Sequence, residues 1–273
     1  MKLNIRVACL LLLLLTGLKV WSATVTNIVV PSPVMKRDIP VTVILPEAYR
    51  SDSARLPVLY LLHGYSDNNQ TWSARTSIKD LADQYGIIVI CPDGGYSSWY
   101  FDSPVDPAWR YETFVARELV AYADGHYRTL PKRESRALAG QSMGGHGAMY
   151  LAIRHPDKFS VIVCLSGGVD LRPFPDEWDI AKRLGSLKDY PDRWSANSVI
   201  TLASSLPPGE LVISIDCGTD DFFIQVNRNL HQLLLTRQVP HDYTERPGGH
   251  NWQYWPDAIK YEMLFISNHL ARN

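Results

Sequence analysis

Gly140-Gln141-Ser142-Met143-Gly144 is the stretch of this chain best suited to covalent chemistry. An apolar run ends at Ala139 just before it, and a helical pattern over 144–155 begins just inside it. A serine on such a strand-to-helix turn has its hydroxyl raised clear of the sheet, the arrangement known as a nucleophile elbow. Glycines two positions either side suit the crowded place where strand and helix meet. A hydroxyl attacks little until a base takes its proton, and that base needs an acid to orient it. In elbow-type folds the order along the chain is serine, acid, histidine. Of the eight histidines, His231, His241, His250 and His269 lie far enough along. His231 and His269 fall within helical patterns, and His241 stands at the wrong end of a strand. His250 follows the run 242–246 through Pro247-Gly248-Gly249 and is assigned as the base. The acid is Asp220 or Asp221, both just after the run 211–216. Only one can reach the imidazole; the other is expected to cap the next helix. Spacing alone does not separate them.

Acyl transfer also needs N–H donors for the oxyanion. One is the amide after the nucleophile, Met143. The other belongs to a loop after an earlier strand, where His63-Gly64-Tyr65 stands. His63 itself is expected to hold that loop, and His146, one helical turn past Ser142, to pack.

These groups need a scaffold that ends several strands at one edge. Continuous apolar runs at 58–62, 87–91, 137–139, 161–165 and 211–216 read as buried strands. Two earlier runs, 24–30 and 41–45, are bracketed by Pro31, Pro40 and Pro46 and suit an antiparallel edge. Helical patterns cover 71–84, 109–127, 144–155, 222–237 and 257–270. Such alternation predicts an α/β fold, a mainly parallel sheet with helices on both faces. Residues 166–208, rich in Pro, Asp, Arg and Trp, read as a short lid-like insertion in a single domain, 23–273.

The chain has 273 residues, 46% hydrophobic and 20% charged, enough for a large core. Its formal net charge of −1 and lack of charge runs exclude a nucleic-acid footprint. Residues 1–22 pair a basic start (Lys2, Arg6) with an apolar run 8–18 and small residues at Ser22 and Ala23. That is the pattern of an export signal, which predicts a periplasmic or extracellular protein without stable membrane association after cleavage. Cys9 leaves with the signal; Cys91, Cys164 and Cys217 allow at most one disulfide and show no zinc spacing.

The segments LLHGYSDNNQTW, GQSMGGHGA, CGTDDFF with NRNLHQLL, and PGGHNWQYW spread from residue 57 to the C-terminus. In them the chain resembles the esterase-D-like branch of the α/β-hydrolases. That branch takes in feruloyl and acetylxylan esterases, tributyrin esterases, S-formylglutathione hydrolases and mycolyltransferases. The resemblance implies an α/β-hydrolase fold with neither metal nor organic cofactor. It selects Asp221 over Asp220 as the acid and assigns the second oxyanion N–H to Tyr65.

The activity implied is a secreted serine carboxylesterase, with small-molecule or polysaccharide acyl esters as substrates. Acyl transfer of the mycolyltransferase kind, a formylglutathione-type thioesterase and a non-catalytic carbohydrate-binding relative are the alternatives. The export signal weighs against the thioesterase, since those enzymes are cytosolic. Aromatic residues near the expected rim (Trp99, Tyr100 and Trp252, with Trp178 and Trp194 in the insertion) are candidates to stack on a sugar or a cinnamoyl-type acyl group.

Overall fold

The computed structural model describes residues 22–51 and 55–272, so all but the last residue of the expected export signal lies outside the described residues. The strands are β1 (Thr24–Ser32), β2 (Arg37–Leu45), β3 (Val58–Leu62), β4 (Ile88–Pro92), β5 (Arg136–Gln141), β6 (Val161–Leu165), β7 (Val212–Gly218) and β8 (Asp242–Arg246). They form one sheet in the order β1-β2-β4-β3-β5-β6-β7-β8. β1, β2 and β4 pair antiparallel, and every pairing from β4 through β3 to β8 is parallel. This is the mainly parallel α/β-hydrolase sheet expected from the alternating pattern.

Every residue of β3, β4, β5 and β6 is buried, because helices cover both faces. The pleat sends alternate residues to opposite sides. Tyr60, Leu62, Leu138 and Ile162 join one apolar cluster, while Leu59, Leu61, Ala139 and Val163 join another. The second cluster packs on α1 (Thr71–Arg75), α2 (Ile78–Tyr85) and the last helix, which is numbered below. The predicted helix 71–84 is broken there because Thr76 turns its hydroxyl back to the Trp72 carbonyl (2.7 Å) and takes extended backbone angles.

On the first face lie α3 (Tyr111–Thr113), a π-helical stretch at Phe114–Leu119, α4 (Val120–His126) and α5 (Met143–Arg154). The insertion is not irregular: it folds into α6 (Ile180–Leu184), α7 (Pro191–Asn197) and α8 (Val199–Ala203). α9 (Ile224–Thr236) and α10 (Trp255–His269) complete the chain, α10 being the last helix against α2. No helix among the described residues is long and apolar enough to cross a membrane. Cys91, Cys164 and Cys217 are buried free thiols, and burial pushes the pKa of all three up.

From β3 the chain crosses outward to β4 and then returns to β5 on the other side of β3. At such a reversal the connections leave in opposite directions and open a crevice at the strands' carboxyl ends. His63-Gly64 and Gln141-Ser142 stand at that opening, just past the paired ends Leu62 and Gly140.

Candidate active site

Ser142 sits at φ 58°, ψ −118°, a costly conformation for a residue with a side chain. Its surroundings hold it there. The Ser142 N–H donates to the Leu165 carbonyl (2.9 Å), and its own carbonyl accepts the His146 N–H (3.0 Å). The flanking glycines are obligatory. A Cβ on Gly140 would come within 2.5 Å of the Gly144 backbone and 2.7 Å of the Leu62 oxygen; one on Gly144 would lie 2.4 Å from that same oxygen.

The structure brings the three expected residues together. His250 Nε2 lies 2.8 Å from Ser142 Oγ, and its Nδ1 lies 2.8 and 3.0 Å from the two carboxylate oxygens of Asp221. The ionised carboxylate only accepts, so Nδ1 carries the proton and Nε2 is left to accept the serine hydroxyl. Asp221 is 2% exposed and also accepts the Phe223 N–H at 2.8 Å.

Asp220 is exposed and does not cap α9, contrary to expectation: Phe223 stands at the N-cap position and no side chain caps the helix. Asp221 instead accepts the N–H of Phe223, the residue just before the helix. The backbones of the acid and base loops are tied together, with Thr219 N–H donating to Arg246 O and Asp220 N–H to Gly248 O, both at 2.9 Å. A Cβ on Gly218 would lie 2.2 Å from that Gly248 oxygen, so the loops meet only over glycine.

Aromatic rings clamp the imidazole. Phe222, 52% exposed, lies 4.1 Å from the His250 ring, and Phe223 and Trp255 meet it edge-on at 5.3 and 5.0 Å. Trp178 of the insertion stacks on Phe222 (5.4 Å, 18°). Phe222 escaped the sequence reading although its signal was present, an aromatic pair directly after the acid.

The two amides expected to receive the oxyanion belong to the elbow and to the loop beside it. Met143 opens α5, where first-turn amides have no helical partner. The Tyr65 amide meets no acceptor among the described residues. The loop it belongs to touches the elbow: a Cβ on Gly64 would lie 3.3 Å from Ser142 Cβ. His63 holds this loop. Its Nδ1–H donates to the Gly64 carbonyl (2.8 Å), and its Nε2 accepts the Gly94 N–H (2.7 Å). That pattern is a neutral imidazole, so the 3.6 Å approach of Asp93 is not an ion pair.

Gln141 Nε2 donates to Asp67 (2.9 Å), linking elbow and loop a second time. At the mouth, Tyr65 meets Tyr96 edge-on (4.8 Å). Burial, Tyr96 and Asp179 together push the Tyr65 phenol up to about 12.

Three expected contacts are corrected. Trp99 and Tyr100 are 1% and 0% exposed. Both have left-handed backbones (φ 52° and 60°) that fold their rings beneath the rim. Trp99 Nε1 donates to the Trp178 carbonyl (3.1 Å), and the Tyr100 hydroxyl donates to the His63 carbonyl (3.0 Å), so both brace the site from below. Trp252 packs against Trp72 and Trp255 (5.3 and 5.1 Å) beneath the Arg75 guanidinium, in the layer of α1 and α10. Of the insertion tryptophans, Trp194 is fully buried and only Trp178 reaches the mouth. His146 packs as expected: it is fully buried, donates to the Asn197 carbonyl (2.9 Å), and burial lowers its pKa to about 4.

Behind the base loop, buried Asp216 accepts from Arg246 and from the Tyr254 hydroxyl. Beside it, burial and then the charge of Asp216 push the Glu262 carboxyl up to about 8. Among the described residues no group of three His, Cys, Asp or Glu side chains could hold a metal ion.

A sequence model described as a putative esterase matches residues 32–266. The chain belongs to this esterase family. The esterase is 29% identical over 226 residues to the acetyl esterase of Caldicellulosiruptor saccharolyticus, covering 76% of this chain and 82% of that one. It is 36% identical over 267 residues to the diacylglycerol acyltransferase/mycolyltransferase Ag85A of Mycobacterium leprae, covering 84% of this chain and 78% of that one. A solved ferulic acid esterase superposes with a TM-score of 0.79 at 28% identity, covering 91% of this chain and 98% of the other. The chain is therefore a serine hydrolase acting on carboxylic esters.

Proposed function

We propose that this esterase cleaves acyl esters of acetyl or feruloyl type on polysaccharides, through an acyl-enzyme on Ser142. The carrying observation is the unbroken line from Ser142 Oγ through the His250 ring to Asp221, with contacts of 2.8 Å on each side of the imidazole. His250 takes the hydroxyl proton as Oγ attacks the ester carbonyl. Asp221 holds the tautomer and stabilises the imidazolium that forms. The Met143 and Tyr65 amides receive the oxyanion, a contribution of about 3–4 kcal/mol per donor. Collapse expels the alcohol with the proton from His250, and water then repeats the sequence to release the acid.

Phe222 and Trp178, backed by the buried Phe223, form an aromatic wall beside His250, which suits a planar acyl group. Export follows from the signal-like residues 1–22. The Ala23 N–H lies 2.5 Å from Asp83 Oδ2, so cleavage after Ser22 would set a new α-ammonium against a carboxylate.

Acid release from acetylated and from feruloylated xylan oligosaccharides, with Ser142→Ala as blank, tests the reading. Release that vanishes in the variant supports it. Release that persists sinks the role of Ser142. The likeness to a mycolyltransferase favours acyl transfer as the second reading; ester product on an added acceptor alcohol, in excess over free acid, would select it.

A further inference from the structure

A groove distant from Ser142 runs along the flank of α5 to the amino-terminal edge of the sheet. Its lower part, a cavity of about 710 Å³, is lined by Arg117, Lys132, Arg133, Arg136 and Lys158. Its upper part, about 750 Å³, adds Arg110, Arg154 and Arg193. Arg117 and His155 line both, which makes the two continuous. Along the groove Arg and Lys outnumber Asp and Glu by eight to five, in a chain whose formal net charge is −1.

Most of the carboxylates are already engaged. Asp124 pairs with Arg136, Asp157 with Lys158, Asp102 with Arg110, and Glu112 with Arg154 and His155. Arg117, Lys132 and Arg133 have no carboxylate partner among the described residues, although Arg133 already donates to the Glu210 carbonyl (2.7 Å). The groove also holds unmet donors. Among the described residues, the buried side-chain nitrogens without a hydrogen-bond partner are Nε of Arg110, Arg133 and Arg136, and all three residues line it. The Arg136 side chain is 6% exposed. These Nε atoms are themselves shut off from solvent, so what the groove offers a ligand directly is the exposed Arg117 and the half-buried Lys132.

We infer that the groove binds a uronate-bearing oligosaccharide stretch, as an anchoring site for the polymer whose esters reach Ser142. This occupant rests on the polysaccharide reading proposed for the active site. The groove is elongated and polar, and its guanidinium groups match carboxylates in a fork geometry. A single small anion would leave most of its length empty. Nucleic acid is disfavoured because the groove lacks a run of exposed aromatic platforms.

β5 runs from Arg136 in the groove to Gln141 beside Ser142, five residue steps that span about 17 Å. One short ester therefore does not touch both places. A polymer long enough to reach both gains by effective concentration, so the groove acts on KM for polymers and not on turnover of small esters.

Binding is measured by calorimetry on the Ser142→Ala protein, which separates it from catalysis. The probes are tetragalacturonate, neutral xylotetraose and inorganic phosphate at low salt. Tetragalacturonate is expected to bind, weaken with added salt, and lose at least tenfold in affinity in the Arg117→Ala/Lys132→Ala double variant. In the Ser142-containing protein that double variant is expected to keep its aryl acetate turnover, which also reports its folding. Equal binding of xylotetraose, unchanged binding by the double variant, or phosphate displacing the uronide at equal concentration would overturn the inference. Loss of ester release from the xylan oligosaccharides would not alter these outcomes, so the two readings fail separately.

Discussion

Replacing Asp221 by Asn changes one atom, and the structure fixes the consequence. Asp221 Oδ1 accepts the Phe223 N–H at 2.8 Å, so the amide oxygen must stay at that position. The new NH₂ then falls where Oδ2 stands, 2.8 Å from His250 Nδ1. A donor there opposes the Nδ1 proton, and the remaining oxygen, 3.0 Å from Nδ1, is already shared with the Phe223 N–H. The balance shifts to the tautomer with its proton on Nε2, and Ser142 then faces an N–H instead of a base. The imidazolium also loses its counter-charge. A wrong tautomer in such a triad lowers kcat by about 10⁴, or about 5 kcal/mol of transition-state stabilisation. Asp220, exposed, is the control: Asp220→Asn should stay within about twofold, as surface substitutions do. Both variants would be assayed on an aryl acetate near pH 8, with thermal melts to show intact folding. Asp221→Asn within tenfold of the parent, or Asp220→Asn as damaged as its neighbour, would refute the reasoning.

Other outcomes turn on particular contacts. Gly144→Ala sets a Cβ 2.4 Å from a backbone oxygen and should cost roughly 2–3 kcal/mol, a Tm drop of about 4–12 °C. Gly125→Ala, on an exposed turn of α4 with nothing within 4 Å, should instead stabilise by about 0.5–1 kcal/mol; calorimetry decides both signs. Glu262 has its folded pKa raised from 4.5 to about 8, so the native state holds the extra proton and stability falls as pH rises between those values. Melts at pH 5 and pH 8 should show a larger loss for the parent than for Glu262→Gln. Trp178→Ala removes the ring stacked on Phe222 and should lower kcat/KM for a feruloyl ester by about tenfold while sparing acetyl esters; equal effects on both would remove Trp178 from the acyl site.

The nucleophile and the base were legible because each follows a recognisable strand and sits in a loop that glycine must supply. β3 and β6 match their predicted limits residue for residue, since buried parallel strands are written as unbroken apolar runs; β8 (Asp242-Tyr243-Thr244-Glu245-Arg246) matches too, although it is polar and only half-buried. The choice between Asp220 and Asp221 was not legible from spacing. It is made by a turn in which the Asp221 N–H bonds to the Gly218 carbonyl, a geometry that two adjacent aspartates do not announce. The rim failed for a related reason. An aromatic run after a strand says that rings are present, while successive left-handed residues at Trp99 and Tyr100 decide which way they face. The break of helix 71–84 at Thr76 turned on one hydroxyl's choice of acceptor, below the reach of a hydrophobic period.

The acid and the base are carried by neighbouring strands at one border of the sheet, and among the described residues β8 has a strand partner on one side only. The serine rides on β5, hydrogen-bonded to β3 and β6. The site therefore spans two levels of local stability. Fraying of the β8 border would part His250 from Ser142 while the elbow stayed locked between its neighbours. Heating should thus silence turnover several degrees below the melting of the fold, in a species with an intact but idle serine. Amide exchange would record it as early loss of protection at Thr219 and Asp220, with Ser142 and Gly140 holding until global unfolding.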